Sequence, residues 1–512
     1  MSKEALFQEI LMARKRVYEV GEVTPLEKLP LGDIDIDIWA KREDLGPIKA
    51  YKWRGAYNAM ASLSPEQRAN GIVAASAGNH AQGVALAAKS LGCKAEIFMP
   101  LSTPEVKQNE VKRHGGDAVK IVLVGDSYDD AGIAAKKYCD EQGAMYIHPY
   151  NDVATMGGQG TLADELVMAT SEPFDRVYIA IGGGGLASSV ACWLEKFWPD
   201  CKVIGVECEG QASMKAAIEN GEPTELEYVD VFCDGTAVRK VGDNTYPYCD
   251  DLLDSITTVT NNEVCHAIRR IWESIRAIPE PSGAMGLAAI MKDYAEGKIK
   301  PGEKVLTIIC GANMDFAQLS NISRKAGIGS KSRRYFRVPV AEGKGSLVHV
   351  LEQLPEGVSI VDLQYGKVGD DEQYPVMGLI GSEEDYQKFD QTLMEQGIKA
   401  ADVSTEEIVG YRIINYDPAL FKNQLFVNIE FPERAGAFLA FMLKVKAYSS
   451  LCYFNYSYSG EPVGRALVGM DFDNMDEQQA CLKLIQELVG DCIMAAELVS
   501  EETLTRLLGS SR

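Results

Sequence analysis

The sequence predicts an α/β chain with a large parallel-sheet part over residues 1 to about 320, followed by tandem α+β units of ferredoxin-like type. Two patterns predict it. Continuous apolar runs alternate with helical runs in the first part, which is how strands covered on both faces by helices read. The last part repeats itself: "RYFRVPVAEGKGSLVHVLEQL" (334–354) matches "LFVNIEFPERAGAFLAFMLKV" (425–445).

In the first part the strand-like runs are 71–76, 94–100, 118–125, 176–185, 202–208 and 304–313, each but the last followed by a helical run. Ligands of such sheets bind beyond the carboxyl ends of the strands, and the Gly- and Asn-rich segments lie at those ends. The polar, basic segment "SNISRKAGIGSKSRR" reads as a linker, over 321–333. In the tail, Phe336, Val338 and Val340 alternate as a strand, and Val427, Ile429 and Phe431 match them. Leu347, Val350, Leu351 and Leu354 then run at helical spacing, as do Phe438, Phe441, Met442 and Val445. Further β-like runs and a second helical run, 383–396 and 475–489, complete each copy. Two βαββαβ units result, over 334–415 and 424–508.

Composition excludes several classes. A net charge of −23 opposes nonspecific binding to nucleic acid or an anionic membrane. The 12 cysteines contain no C-x-x-C and read as reduced thiols, and five dispersed histidines offer no zinc site. No run of roughly 20 apolar residues would span a membrane, and the start of the chain has no cleavage signature. A cytoplasmic protein without a metal is the expectation.

Four segments carry the chemistry. "SAGNHAQG" (76–83) joins a strand end to a helix start, where free N–H groups beside Ser76 and Asn79 make an anion site or simply an N-cap. "GGGGL" (182–186) repeats that position with backbone able to approach a phosphate; it is neither a Walker loop nor a dinucleotide fingerprint. Cys310 ends the last strand of the first part and reads alone as a core thiol. Lys52, in "AYKWRGA", needs an electrophile and a site that lowers its pKa before it can be more than a surface cation. A phosphorylated aldehyde cofactor, pyridoxal 5′-phosphate, unites the four.

At these residues the sequence resembles the threonine dehydratase (threonine deaminase) branch of the β-family pyridoxal-phosphate enzymes. The matching segments are "KRED", "AYKWRGAYN", "SAGNHAQGVA", "HPYND", "IGGGGLASSV", "DGTAVRKVGD", "EPSGAMGLAA" and "CGANMDF". The tail resembles the paired ACT-like regulatory domains of the long biosynthetic form. The resemblance implies a catalytic domain over 1–320 with two parallel-type sheet subdomains. It implies Lys52 as the Schiff-base lysine, Asn79 on the 3′-oxygen, and Gly182, Gly183, Gly184, Gly185 and Leu186 on the phosphate. It implies Cys310 at the ring nitrogen, with Ser76, Ala77, Gly78 and His80 on the loop that receives the substrate carboxylate. Ala50 and Trp53 depart from the family's usual residues around the lysine.

The implied reaction is β-elimination of L-threonine to 2-oxobutanoate and ammonia, the first step of isoleucine biosynthesis, with Lys52 removing the α-proton. Alternatives are an L-serine dehydratase, a threonine synthase-like lyase, or an amino-acid-sensing ACT protein without catalysis. A thiol at Cys310 would leave the ring nitrogen uncharged, which favours elimination over transamination. Ala77 stands where related serine racemases have a serine base, so racemisation is disfavoured. The segment "VFCDGTAVRKVGD" lacks the carboxylate spacing of cousins that bind a divalent cation. Isoleucine as inhibitor and valine as antagonist are the implied effectors, with turns 343–346 and 434–437 as their expected sites. A homotetramer or homodimer is the expected assembly.

Overall fold

The six apolar runs become parallel strands, but they divide between two sheets. β1 (Leu26–Lys28), β2 (Asp37–Arg42), β7 (Arg176–Ala180), β8 (Lys202–Cys208), β9 (Ser255–Val259) and β10 (Lys304–Ile309) form one, in the order β1-β2-β10-β7-β8-β9. β3 (Ile72–Ala75), β4 (Ala95–Met99), β5 (Val119–Leu123) and β6 (Met145–Tyr146) form the other, in the order β5-β4-β3-β6. Every pairing is parallel except β1 with β2. These strands belong to the first of two compact units, Met1–Gly329 and Ser330–Arg512. The computed structural model describes the chain except residues 1, 102, 126–127, 341–345, 368–372, 407–408, 410–411, 413, 433–435, 458–462, 501–503 and 505–512.

The larger sheet shows why its strands read as unbroken apolar runs. Val177, Ile179, Val203, Leu306 and Ile308 pack into a core on one face. Tyr178, Ala180, Ile204, Val206, Val305 and Ile309 pack into another on the opposite face. Neighbouring side chains of a strand point to opposite faces, so two covered faces leave no polar alternation.

The segment read as a linker is mostly a helix, Gln318–Gly329. Ile322 and Ala326, one turn apart, enter the same core as Cys265 and Ile268. Ser, Arg and Lys on its outer side hid that short apolar stripe. Only a few residues separate this helix from the first strand of the second unit.

That unit holds β11 (Arg333–Arg337), β12 (Ser359–Gly366), β13 (Val376–Ile380), β14 (Ala401–Asp402), β15 (Gln424–Pro432), β16 (Ser450–Ser457), β17 (Val463–Asp471) and β18 (Ala495–Leu498). Helices Ser346–Leu351 and Glu383–Glu395 belong to the first copy, Ala437–Val445 and Met475–Glu487 to the second. The copies do not fold as separate sheets. β12 pairs antiparallel with β16, giving one eight-stranded sheet in the order β14-β11-β13-β12-β16-β17-β15-β18. The order reads as each copy's 4-1-3-2 arrangement meeting its mirror image. Both copies carry a register shift at the same place, between Ile360 and Asp362 and between Leu451 and Tyr453. Of the expected effector turns, 343–345 and 434–435 lie outside the described residues. No helix among the described residues is long and apolar enough to cross a membrane.

Beneath the helix Lys52–Ser62 lies a buried charge network. Arg54 is 0 % exposed. Its guanidinium donates to Glu43 through Nε and Nη2, both at 2.9 Å, and to Glu165 through Nη1 at 2.6 Å. Lys41 Nζ donates to Glu165 Oε2 at 2.5 Å and to the Thr24 carbonyl at 2.6 Å. Trp53 is buried with Ala13, Val17, Ile48 and Ala50, and the Arg54 guanidinium lies 4.8 Å from its ring centroid. Trp53 therefore packs behind the lysine. Removing one member of such a network strands the others' charges, at a cost of about 3–5 kcal/mol. Arg54→Ala is expected to lower the unfolding free energy by that amount, read as a lower urea midpoint at an unchanged slope. A loss below about 1 kcal/mol, as for an ordinary surface change, would contradict the role given to the network.

Candidate active site

Lys52 begins its helix, and the turn before it is stitched to the end of β10. Tyr51 N donates to the Cys310 carbonyl at 3.1 Å, Ala312 N to the Lys49 carbonyl at 2.9 Å, and Asn313 Nδ2 to the Ile48 carbonyl at 2.7 Å. Lys49 takes φ 57° to make the turn. Residues far apart in sequence, Lys52 and Cys310, are thereby held on one backbone patch. Lys52 Nζ donates to the Pro149 carbonyl at 3.3 Å and lies 5.2 Å from the Tyr51 ring centroid. Burial pushes its pKa down to about 8, against the opposing pull of Cys310 and Glu280. A lysine in that range supplies the neutral amine that a nucleophile or base requires.

Asn79 starts the helix Asn79–Leu91 that follows β3. Its Nδ2 donates to Glu280 Oε1 at 2.8 Å, and its Oδ1 accepts from Asn313 Nδ2 at 2.8 Å. The loop before it has no free ring or long side chain to offer. Ser76 Oγ accepts from Gly78 N at 3.2 Å, and Ala77 is buried in the core of the smaller sheet. His80 turns inward, its Nε2 at 2.9 Å from the Ile147 carbonyl. Burial, with Lys52 adding, pushes its pKa down to about 3, so the ring is neutral and Nε2 is the donor. What the loop can give an anion is backbone N–H and the Ser76 hydroxyl.

Gly182–Gly185 join β7 to the helix Gly185–Phe197. Gly184 lies at φ 93°, a left-handed conformation where a side chain is strained. A Cβ on Gly183 would lie 2.2 Å from the Tyr150 ring, and one on Gly182 3.1 Å from Thr236 Cα. The loop's carbonyls are tied back: Gly183 O accepts from Thr245 Oγ1 at 2.5 Å, and Gly184 O from Ser188 Oγ at 2.7 Å. The first N–H groups of the helix have no intrahelical acceptor. Leu186 is buried just inside the helix. The result is a cradle of backbone donors with no room for side chains, which fits a phosphate.

The "HPYND" segment spans the two halves of the site. The Pro149 carbonyl takes the Lys52 amine, while the next residue, Tyr150, lies over Gly183 and Gly185. His148 Nδ1 accepts from Tyr150 N and Asn151 N at 3.3 and 2.9 Å, and burial pushes its pKa down to about 4.

Cys310 is 4 % exposed, and burial first, then Glu280, hold its thiol well above its usual pKa. It is therefore a neutral thiol. The sequence had not marked out Glu280, although "EPSGAMGLAA" contains it. It is 3 % exposed; Oε1 accepts from Asn79 and Oε2 from Asn313 N at 3.2 Å. Burial, then Asp234, push its pKa up to about 8, opposed by the two N–H donors. A glutamate between two prolines at a helix start was the available signal.

The structure thus brings Lys52, Asn79, Cys310 and the glycine loop around one cleft, with Glu280, Asn313 and Tyr150 as connecting groups. His80 turns inward to the Ile147 carbonyl, and Ala77, earlier in the same segment, is buried. An amine with a lowered pKa, a phosphate cradle and a neutral thiol suit pyridoxal 5′-phosphate.

Comparison with known proteins agrees. A family described as pyridoxal-phosphate dependent enzyme matches residues 17–311, and the C-terminal regulatory domain of threonine dehydratase matches 418–506. The chain is 36 % identical to L-threonine dehydratase biosynthetic IlvA of Haemophilus influenzae, over 93 % of each chain. It is 35 % identical to the Escherichia coli protein of that name, over 94 % of this chain and 93 % of that one. Among solved structures, the processed form of threonine deaminase isoform 2 from Solanum lycopersicum covers 64 % of this chain and 95 % of its own, at 38 % identity and TM-score 0.61. By descent and by site, the chain belongs to the biosynthetic threonine dehydratase family of pyridoxal-phosphate enzymes.

Proposed function

We propose that the protein deaminates L-threonine to 2-oxobutanoate and ammonia. The observation that carries this reading is the buried Lys52 amine, its pKa lowered to about 8, bonded to the Pro149 carbonyl, whose neighbour Tyr150 lies against the side-chain-free glycine cradle. Similarity to threonine dehydratases over nearly the whole chain supports the substrate.

Pyridoxal 5′-phosphate, when bound, supplies the electron sink for the bond broken at the substrate α-carbon. Gly182, Gly183, Gly184, Gly185 and Leu186 would hold its phosphate through their N–H groups. Lys52 Nζ would anchor its carbonyl carbon, then accept the α-proton; a pKa about 8 suits a base working near neutral pH. Asn79 would donate to the 3′-oxygen. Cys310, a neutral thiol, would face the ring nitrogen without adding charge there. Ser76 Oγ and free N–H groups of the 76–80 loop would bind the substrate carboxylate. Ala77 has no proton to give on the opposite face, so elimination is the outcome and racemisation is not.

The eight-stranded sheet of the second unit would bind isoleucine as inhibitor and valine as its antagonist. The protein would work in the cytoplasm as a homotetramer or homodimer. Such regulation corresponds to a coupling of roughly 1–3 kcal/mol between the two sites.

Three outcomes test this. Lys52→Ala should abolish the visible absorption of bound cofactor and lower 2-oxo acid production more than about 1,000-fold, the scale of losing a positioned base; retained turnover would refute the role. Assayed side by side, threonine should be used in preference to serine, with no D-isomer formed from either; a serine preference would favour the L-serine dehydratase reading. A chain ended at Gly329, where the first unit closes, should keep activity and lose its response to isoleucine. Full sensitivity in that chain would remove the second unit from the regulation.

A further inference from the structure

Glu280 occupies the N-cap position of the helix Pro281–Ala295, yet its side chain makes no capping hydrogen bond. It turns into the cleft instead, and the backbone around it is cut back to admit it. A Cβ on Gly311 would lie 2.5 Å from Glu280 Oε1, and one on Gly235 3.2 Å from the same oxygen. Its own N–H donates to the Gly311 carbonyl at 3.0 Å, which fixes the carboxyl beside Cys310 and Asn313.

The partners of that carboxyl are what matter. An asparagine amide has one acceptor oxygen and two N–H donors, and its two orientations have almost the same shape. Only its hydrogen bonds choose between them. Here Asn79 Oδ1 is taken by Asn313 Nδ2, and one Asn79 N–H is taken by Glu280 Oε1. Turned over, the amide would set nitrogen against the Asn313 amide nitrogen, losing that bond, and oxygen against Glu280, losing the second wherever the carboxyl is ionised. One Asn79 N–H has no acceptor among the described residues in the observed orientation.

We propose that Glu280 is a positioning residue, which locks the Asn79 amide with its nitrogen toward the cofactor and so sets the affinity for pyridoxal 5′-phosphate. This rests on the reading that Asn79 donates to the 3′-oxygen. Asn313 completes the lock, and through the Ile48 carbonyl ties it to the turn that carries Lys52.

A double-mutant cycle on the full chain tests it, with cofactor removed and then titrated back. The readouts are the Kd for pyridoxal 5′-phosphate and the ratio of visible to near-ultraviolet absorption of the bound cofactor, which responds to a donor at the 3′-oxygen. Asn79→Ala and Glu280→Met are each expected to weaken binding about tenfold, roughly the worth of one such bond, and to shift the absorption ratio the same way. In the Asn79→Ala background, Glu280→Met should add less than about threefold. Glu280→Gln, which keeps one acceptor oxygen, should retain much of the parent affinity, and Glu280→Leu replaces Glu280→Met in the cycle if that variant does not fold. Additive losses of about 100-fold, or a Glu280→Met or Glu280→Leu change that leaves Kd and spectrum unaltered while Asn79→Ala weakens binding, would overturn the proposal. An Asn79→Ala variant that binds like the parent would instead overturn the reading of Asn79 on which it rests.

Discussion

The chemistry depends on taking one lysine amine out of water without pairing it to an acid. Lys52 and Arg54 lie on the same helical turn and meet opposite fates. Arg54 is surrounded by Glu43 and Glu165, whose charges outweigh its burial and raise its pKa. Among the described residues Lys52 has only a carbonyl oxygen within hydrogen-bonding distance, and burial wins. A buried ion pair costs nearly as much desolvation as it returns in attraction, so Arg54 is best understood as the clamp that fixes the helix. The same clamp keeps its two carboxylates occupied and away from Lys52. Had either of them reached the amine, the lysine would be a stable cation and a poor base.

The rest of the site extends that logic. Groups that would normally ionise are buried and held neutral: the Cys310 thiol, the His80 ring and the His148 ring. Neutral surroundings leave the charge of a bound phosphate to the backbone donors of the glycine loop. The loop's carbonyls are drawn away by Thr245 and Ser188, so the cradle presents one sign of dipole. Tyr150 forbids a side chain at Gly183 and crowds Gly185, Thr236 crowds Gly182, and Gly184 is left-handed, which together explain four glycines in a place where each one lowers stability.

Much of this was legible in the sequence because it is local. Apolar runs, the glycine loop and the repeat of 334–354 in 425–445 are patterns of neighbouring residues. The division into two sheets was not legible in those runs: nothing in β3 or β7 says which strand each pairs with, and only the family resemblance pointed to it. The helix Gln318–Gly329 escaped notice because two buried residues, Ile322 and Ala326, are too few to mark a stripe among Ser, Arg and Lys. Glu280 escaped because its meaning lies in Asn79 and Asn313, which only folding brings to it. The fusion of the two repeats into one sheet through β12 and β16 is likewise an edge-to-edge event with no sequence period of its own.

The central claim is that Lys52, and no other of the 51 Lys and Arg residues, holds the cofactor. Reducing the holoprotein with borohydride fixes a pyridoxyl group wherever the cofactor is bound to an amine, and peptide mass spectrometry then locates it. The expected result is a single pyridoxylated peptide that contains Lys52 and vanishes in Lys52→Ala. A label on another lysine of the native protein, or none at all with cofactor bound, would contradict the account.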